Sequence, residues 1–301
     1  MKIISIGELL WDVIDGVEHI GGAPFNFSVH AARLGHEVIF LSAVGRDQRG
    51  ERALAIASEL GVPTRFIQSL DGLATGVVSV QLDAAGQPHF TIHRPAAYDG
   101  LNLADADFEQ LSSFQPDWIY FGTLHQAQPQ PRAMTAKLRA ACPSASRFYD
   151  VNLRLNSYTP ALVLDLMKSA DVVKLNEDEL RTTVQMFGSG EMTTEDFCRR
   201  YSRQFGWQAV CVTRGENGCA LLIGEDYVEV EAYPVKIADA VGTGDAFAAA
   251  FVHGLENKWR PWQIGDYANR LAALVASRSG AVPPWIVEEC ERMTRENPAQ
   301  E

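Results

Sequence analysis

Residues 239–247 read DAVGTGDAF and run directly into the alanine-rich AAAFVHGL. Two glycines around a threonine, then an acid at the mouth of an apolar helix, suit one kind of chemistry. Gly242, Thr243 and Gly244 would turn successive backbone N–H groups outward at the positive end of a helix dipole. That is a seat for a phosphoryl group gathering negative charge. Asp245, in the first turn, would be kept ionised by the same dipole and could take the proton of an attacking hydroxyl. The plain alternative is a carboxylate that only caps the helix. Taken alone, G-x-G-D favours that alternative, because caps far outnumber bases.

Other phosphate-binding patterns are missing. The chain has no GxxxxGK[ST], and Phe247 stands where G-x-G-x-x-G needs its third glycine. SIGELLWD supplies no glycine fingerprint after the first strand, which argues against a dehydrogenase. Protein-kinase signatures are also absent.

The elements that must position these residues follow from hydrophobic patterning. KIISIG, EVIFLSAVG, DWIYFG, RFYDVN, DVVKLN and AVCVTRG are short apolar runs rich in β-branched and aromatic residues. Amphipathic segments at 49–61, 131–141, 159–170 and 193–206 lie between them. The alternation predicts an α/β fold whose mostly parallel central sheet is covered on both faces, with ligands bound outside the carboxyl ends of its strands. Two stretches break the pattern. Residues 75–95 alternate like an antiparallel hairpin turning at AAGQP, and 11–20 look like a second hairpin around Asp15-Gly16. Together they predict a small β-sheet standing off one domain that spans 1–301, either a lid or a homodimer surface.

Bulk properties exclude several classes. With 26 basic and 38 acidic residues the formal net charge is −12, which opposes a nucleic-acid or anionic-membrane surface. The 301 residues are 47% hydrophobic, enough for a large core. Cys142, Cys198, Cys211, Cys219 and Cys290 are scattered, odd in number and never in a CxxC pair, so they read as reduced, buried thiols. MKIISIGELL reads as a first strand and not a leader, and no apolar stretch is long enough for a bilayer. The expected location is cytoplasmic.

DAVGTGDAF resembles the C-terminal signature of the ribokinase-like (PfkB) carbohydrate kinases. GGAPFNFSVHAARLG (21–35) is similar to that family's N-terminal signature, and GELLWD (7–12) to its first strand, which ends in a substrate-binding aspartate. NEDE (176–179) resembles its N-x-x-E motif, and TRGENG (213–218) its T-x-G-x-x-G nucleotide loop. Five motifs in order over nearly the whole chain make the resemblance specific. It implies the three-layer ribokinase-like fold and phosphoryl transfer from ATP, with Mg²⁺, to a sugar hydroxyl.

Carried over, Asp245 is the base and Gly242, Thr243 and Gly244 the anion hole. Asp12 accepts bonds from sugar hydroxyls, against the alternative of a turn residue before Asp15. Gly21 and Gly22 let the backbone lie against the sugar, and Asn26 donates to or accepts from a hydroxyl. Asn176 and Glu179 organise Mg²⁺ and the triphosphate through water; the alternative is a helix start with a solvated acidic face. Thr213, Gly215 and Gly218 approach the nucleotide, or form a plain turn. Asp239 and Val241 lie where family members can offer oxygens to K⁺.

GGAPFN is similar to fructokinases and 2-keto-3-deoxygluconate kinases, and unlike the GGKGAN of ribokinases. YDVNLR and IHRPAAYD resemble pocket segments of that subgroup, implying roles for Asp150, Asn152, Arg154 and Arg94. Keto-deoxy-acid kinases are expected to carry a tyrosine two positions before the lid arginine, where this chain has Ile92. That favours fructose, with the keto-deoxy acid, another sugar or a nucleoside as alternatives, and a non-catalytic sugar sensor as the rival class. Phe25, Phe27 and His30 replace residues that are often small, which leaves room for an unusual substrate.

Overall fold

The structure, a computed structural model, describes residues 1–82 and 88–295. Nine strands form the main sheet, in the order β13-β12-β11-β10-β9-β8-β1-β4-β5. The first strand is β1 (Lys2–Ile6), and β4 (Glu37–Gly45) and β5 (Ile67–Leu70) lie to one side of it. To the other side lie β8 (Trp118–Gly122), β9 (Ser146–Asp150), β10 (Val172–Asn176) and β11 (Ala209–Thr213). All seven run parallel. The six apolar runs singled out in the sequence are all among them. An antiparallel pair that the runs do not announce, β12 (Cys219–Ile223) and β13 (Asp226–Val230), closes one edge.

In the parallel strands inside the sheet, apolar side chains leave alternate faces, and both faces are buried. Ile4, Tyr149, Val173 and Val210 enter one core with the helices Asp105–Phe114, Pro129–Ala141, Pro160–Lys168, Glu177–Met186 and Thr194–Phe205. Ile3, Phe148, Val172 and Cys211 enter the opposite core, with the helices Ala23–Arg33, Thr243–Glu256 and Pro261–Ala276. The result is three layers. All five cysteines are buried and unpaired. No helix among the described residues is long and apolar enough to cross a membrane.

The small sheet has the order β3-β2-β6-β7, from β2 (Leu10–Ile14), β3 (Val17–Gly21), β6 (Gly76–Leu82) and β7 (Pro88–His93). The two expected hairpins are present, and they join through a parallel β2–β6 pairing. Asp15 (φ 50°) and Gly16 (φ 79°) make a two-residue turn with both residues left-handed, matched to the twist of a hairpin. Of the expected AAGQP turn only Pro88, which opens β7, lies within the described residues.

One expectation needs correcting. Asp12 does not end the first strand: β1 stops at Ile6, the chain leaves the main sheet at Gly7, and Asp12 is the third residue of β2, paired with His19. Nor is it a turn residue. Trp11 ties this strand to the main body, its Nε1 donating to the Arg49 carbonyl at 3.1 Å while Arg52 lies 4.4 Å over its ring. Arg49 and Arg52 also both bind Glu18 of β3.

Candidate active site

The carboxyl ends of three adjacent parallel strands carry Asp150 (β9), Asn176 (β10) and Thr213 (β11). Asn176 pairs with Thr213 in register, and Lys174 pairs with Asp150. The helix Thr243–Glu256 points its N-terminus at this edge, and an added Cβ on Gly244 would lie 3.5 Å from Lys174 Nζ. Gly242 caps the helix with φ 79°, and its α-carbon packs so closely on the Ala281 carbonyl that a side chain has no room. Both its conformation and its contact therefore require glycine. The amides of Thr243 and Gly244 open the helix and have no carbonyl within it to bond.

Asp245 is buried in that first turn, and its Oδ2 accepts a 2.8 Å hydrogen bond from Asn26 Nδ2. Burial, then the neighbouring charge of Asp150, pushes its carboxyl up to about 7, against the pull of Asn26, Lys174 and Arg154. The sequence predicts that the helix dipole keeps Asp245 ionised; in the structure desolvation at this depth is the larger effect and raises its pKa. A carboxyl poised near neutrality is a better general base than an ordinary aspartate.

Beneath it lies a buried group of which YDVNLR discloses only Asp150, and not the partners that hold it. Lys174 Nζ donates to both oxygens of Asp150 at 3.0 Å, and Tyr120 Oη donates to Asp150 Oδ2 at 2.9 Å. Burial alone would lower the ammonium, but Asp150, Glu179 and Asp245 more than offset it and hold Lys174 above its ordinary value. Phe27 stacks on Tyr120 at 3.8 Å. Asp150 is thus committed to its neighbours. A lysine inside the apolar run DVVKLN is the sequence signal of its partner Lys174.

The helix Glu177–Met186 begins with a reciprocal capping box. Asn176 Oδ1 accepts from the Glu179 amide, and Glu179 Oε2 accepts from the Asn176 amide, both at 2.8 Å. Glu179 Oε1 accepts from the Leu153 amide at 2.9 Å. Glu179 is buried, not part of a solvated face, and burial raises its pKa. Gly215–Asn217 forms a single turn after Thr213; Gly218 (φ 81°) packs on the Val230 carbonyl with no space for a side chain. Asp239 spends its two oxygens on the Val241 amide (2.9 Å) and the Gly280 amide (3.0 Å), bracing one loop against the other.

Facing this edge, Asp12 is pushed up to about 6 by burial, while Arg154 and His19 pull it down. An added Cβ on Gly21 would stand 2.5 Å from Asp12 Oδ2, and Gly22 (φ 111°) packs on the Glu8 carbonyl. The Gly-Gly pair is therefore explained by the two acids it touches. Arg94, just past β7, donates Nε to Asp99 Oδ2 at 3.1 Å and pairs with Asp99 again through Nη2. Arg154 is exposed, and its charge reaches Glu8, Asp12 and Asp245. Asn152 (φ 35°) turns the chain between Asp150 and Arg154.

The bulky replacements in the N-terminal signature do not reshape this crevice. Phe25 and Phe27 are core residues. His30 accepts from Trp285 Nε1 at 3.0 Å and, as the Nε2–H tautomer, donates to the Ala281 carbonyl at 3.1 Å. Burial holds its pKa down at about 3, so it stays neutral and steadies the carbonyl beneath Gly242. Among the described residues no three His, Cys, Asp or Glu side chains cluster closely enough to hold a metal ion.

The chain is similar to known proteins over nearly its whole length. A model described as pfkB family carbohydrate kinase matches residues 4–287. A protein of Pyrococcus horikoshii is 30% identical over 99% of this chain and 96% of its own length. Its crystal structure, described as an uncharacterized sugar kinase in complex with ATP, superposes with a TM-score of 0.82 at 28% identity, covering 98% of this chain and 99% of that one. Fructokinase-2 of Solanum lycopersicum is 26% identical over 93% of this chain and 92% of its own. Fructokinase of Xylella fastidiosa with bound ATP shares the fold, with a TM-score of 0.84 at 21% identity over 96% of this chain and 97% of that one.

Proposed function

The chain belongs to the pfkB family of carbohydrate kinases, and from that premise we propose that it transfers the terminal phosphoryl group of ATP to fructose, forming fructose 6-phosphate. The observation that carries the choice of a neutral sugar is the Arg94–Asp99 pair: one of the two arginines that would neutralise a sugar acid already has its counter-ion. Burying two unpaired guanidinium groups beside a neutral hexose would be costly, and this arrangement avoids it. Ile92 offers the acid no hydroxyl.

In this reading Asp12 and Asn26, with the backbone at Gly21 and Gly22, hold the sugar, and Arg154 approaches from the exposed side. Asp245 takes the proton of the attacking hydroxyl as its oxygen bonds to the γ-phosphorus and the bond to the β-phosphate oxygen breaks. The amides of Gly242, Thr243 and Gly244 hold the charge on the transferred group, above the ammonium of Lys174. Thr213, Gly215 and Gly218 lie along the nucleotide. Glu179 and Asn176 have their oxygens engaged by backbone amides, so they suit Mg²⁺ held through water and not by direct ligation. Bound Mg²⁺ neutralises charge on the triphosphate. A monovalent cation near Asp239 and Val241 would have to share an already doubly bonded carboxylate, and the brace is the role we carry forward for Asp239.

The test is a panel of sugars incubated with ATP and Mg²⁺, followed by ADP release. We expect kcat/KM for fructose at least about tenfold above that for 2-keto-3-deoxygluconate, equivalent to about 1.4 kcal/mol of transition-state binding. The reverse order would sink the choice of fructose.

We read the chain as one catalytic domain with the small sheet as its lid, closing over the sugar to exclude water. Hydrogen exchange in 10–21 and 76–93 should then slow on adding sugar while the main sheet changes little. Unchanged protection would assign this sheet to a fixed surface between two copies of the chain.

A further inference from the structure

Glu8 Oε2, Tyr98 Oη and Asn26 Oδ1 are buried side-chain oxygens with no hydrogen-bond partner. Asn26 already touches Asp245, which places its free oxygen at the reacting end of the crevice. The other two are unassigned. Glu8 lies where the chain leaves β1 for β2. Its carbonyl packs on Gly22, at the start of the helix Ala23–Arg33, and its Cγ lies within 3.3 Å of where a Gly22 side chain would begin. Tyr98 is fully buried, its ring edge against the first residues of β2 and β6: an added Cβ on Gly76 would stand 2.6 Å from Tyr98 Cε1 and 2.9 Å from Leu10 Cβ. The Arg94 guanidinium covers its ring at 5.5 Å. Burial raises the pKa of Glu8 against the pull of Arg154 and Arg94, and burial likewise raises that of Tyr98, with Asp99 and Glu8 adding to it and Arg94 opposing.

Glu8, beside Gly22, and Tyr98, beside Gly76 and packed with Leu10, thus put an unpaired acceptor and an unpaired donor around the start of β2. Native interiors seldom leave such atoms unpaired, because each costs free energy until something bonds to it. We propose that Glu8 and Tyr98 line the far end of the sugar pocket and set its specificity, Glu8 Oε2 accepting from one hydroxyl of the acceptor and Tyr98 Oη donating to another. The inference rests on the reading of a neutral sugar as substrate, and it names the groups that would recognise a polyhydroxy chain. A water bridging the two side chains, with no part in sugar binding, is the competing arrangement.

Tyr98→Phe removes one oxygen from a site that keeps its packing, and Glu8→Gln keeps the shape of the side chain while removing its charge. The measurement is steady-state kinetics of both variants on the best neutral sugar of the wild-type panel, with monodeoxy analogues of that sugar. Each variant should raise the sugar KM at least about fivefold, as expected for a lost buried hydrogen bond, and leave kcat and the ATP KM near wild type. One deoxy analogue that is poor for the wild type should be no poorer for Tyr98→Phe than the parent sugar is. A sugar KM within fivefold of wild type in both variants overturns the proposal in favour of the bridging water. If Glu8→Gln fails to fold, Tyr98→Phe alone decides. A wild type that phosphorylates no neutral sugar is a separate result, visible before any variant is made; it sinks the neutral-sugar reading and this inference with it.

Discussion

Replacing Asp245 with asparagine should lower kcat by about 10²–10⁴-fold while leaving the binding of sugar and nucleotide nearly intact. The change is close to isosteric, and the new amide oxygen can still accept from Asn26, so only the proton acceptor is lost. Near-wild-type turnover would sink the assignment of the base. The pH dependence carries a second signature. With the carboxyl pushed up to about 7, kcat/KM of the wild type should rise with pH through about 7 and then level off, because only the ionised form accepts the proton. Stability should move the other way. The folded pKa lies above the unfolded value, so the stabilising contribution of this group is fully present below about pH 4 and is lost as pH rises through 7. The asparagine variant escapes that loss. It should be more stable than the wild type at pH 8, by up to about 4 kcal/mol at 1.4 kcal/mol per pH unit, and nearly equal to it at pH 4. Denaturant unfolding at the two pH values measures this directly. Equal stability at both would mean that the carboxyl is not destabilised by its burial.

Lys174→Met should be the most damaging single change to the fold near the site. It leaves the Asp150 carboxylate buried with only the Tyr120 hydroxyl as partner. Breaking a buried pair in this way costs about 3–5 kcal/mol, most of it from the stranded charge. Urea unfolding of the variant reads the loss, and adding Asp150→Leu in the same chain should recover much of it, because the second change removes the charge that the first one stranded. A cost below about 1 kcal/mol for the single variant would show that the pair is solvated and not a buried support. Activity should fall as well, since the ammonium underlies Gly244.

What could be read in advance, and what could not, divides along a physical line. Continuous apolar runs such as DVVKLN and DWIYFG report burial on both faces, so the parallel strands were visible in the sequence. Glycines beside polar residues report close backbone approach, and that made GTGD and the Gly-Gly pair stand out. Strand neighbours are different. Asp150 and Lys174 meet only because β9 and β10 pair in one particular register, which neither strand's composition encodes. Glu8 is masked in the same manner: in GELLWD it reads as part of one strand, whereas the chain turns out of the main sheet at that point. Reading GELLWD as one strand consequently puts Asp12 on the first strand, although Gly21, whose backbone lies against its carboxylate, stands in the neighbouring motif. Arg94 is the contrasting case: IHRPAAYD singles it out, and its counter-ion Asp99 stands within that same short segment.

The pairing of β2 with β6 bears on how this chain folds as it is made. Leu10 and Gly76 are neighbours in the small sheet, yet all of β4, β5 and two helices lie between them in the chain. A parallel pair with so long an intervening segment gains nothing until the loop between its strands is already closed. The β2–β3 hairpin therefore emerges from synthesis early and must wait, with its Trp11 side unpaired, until the β1–β4–β5 part of the main sheet has brought β6 alongside. Assembly of the small sheet is thus a late event, and its completion reports that the framework beneath it has already condensed.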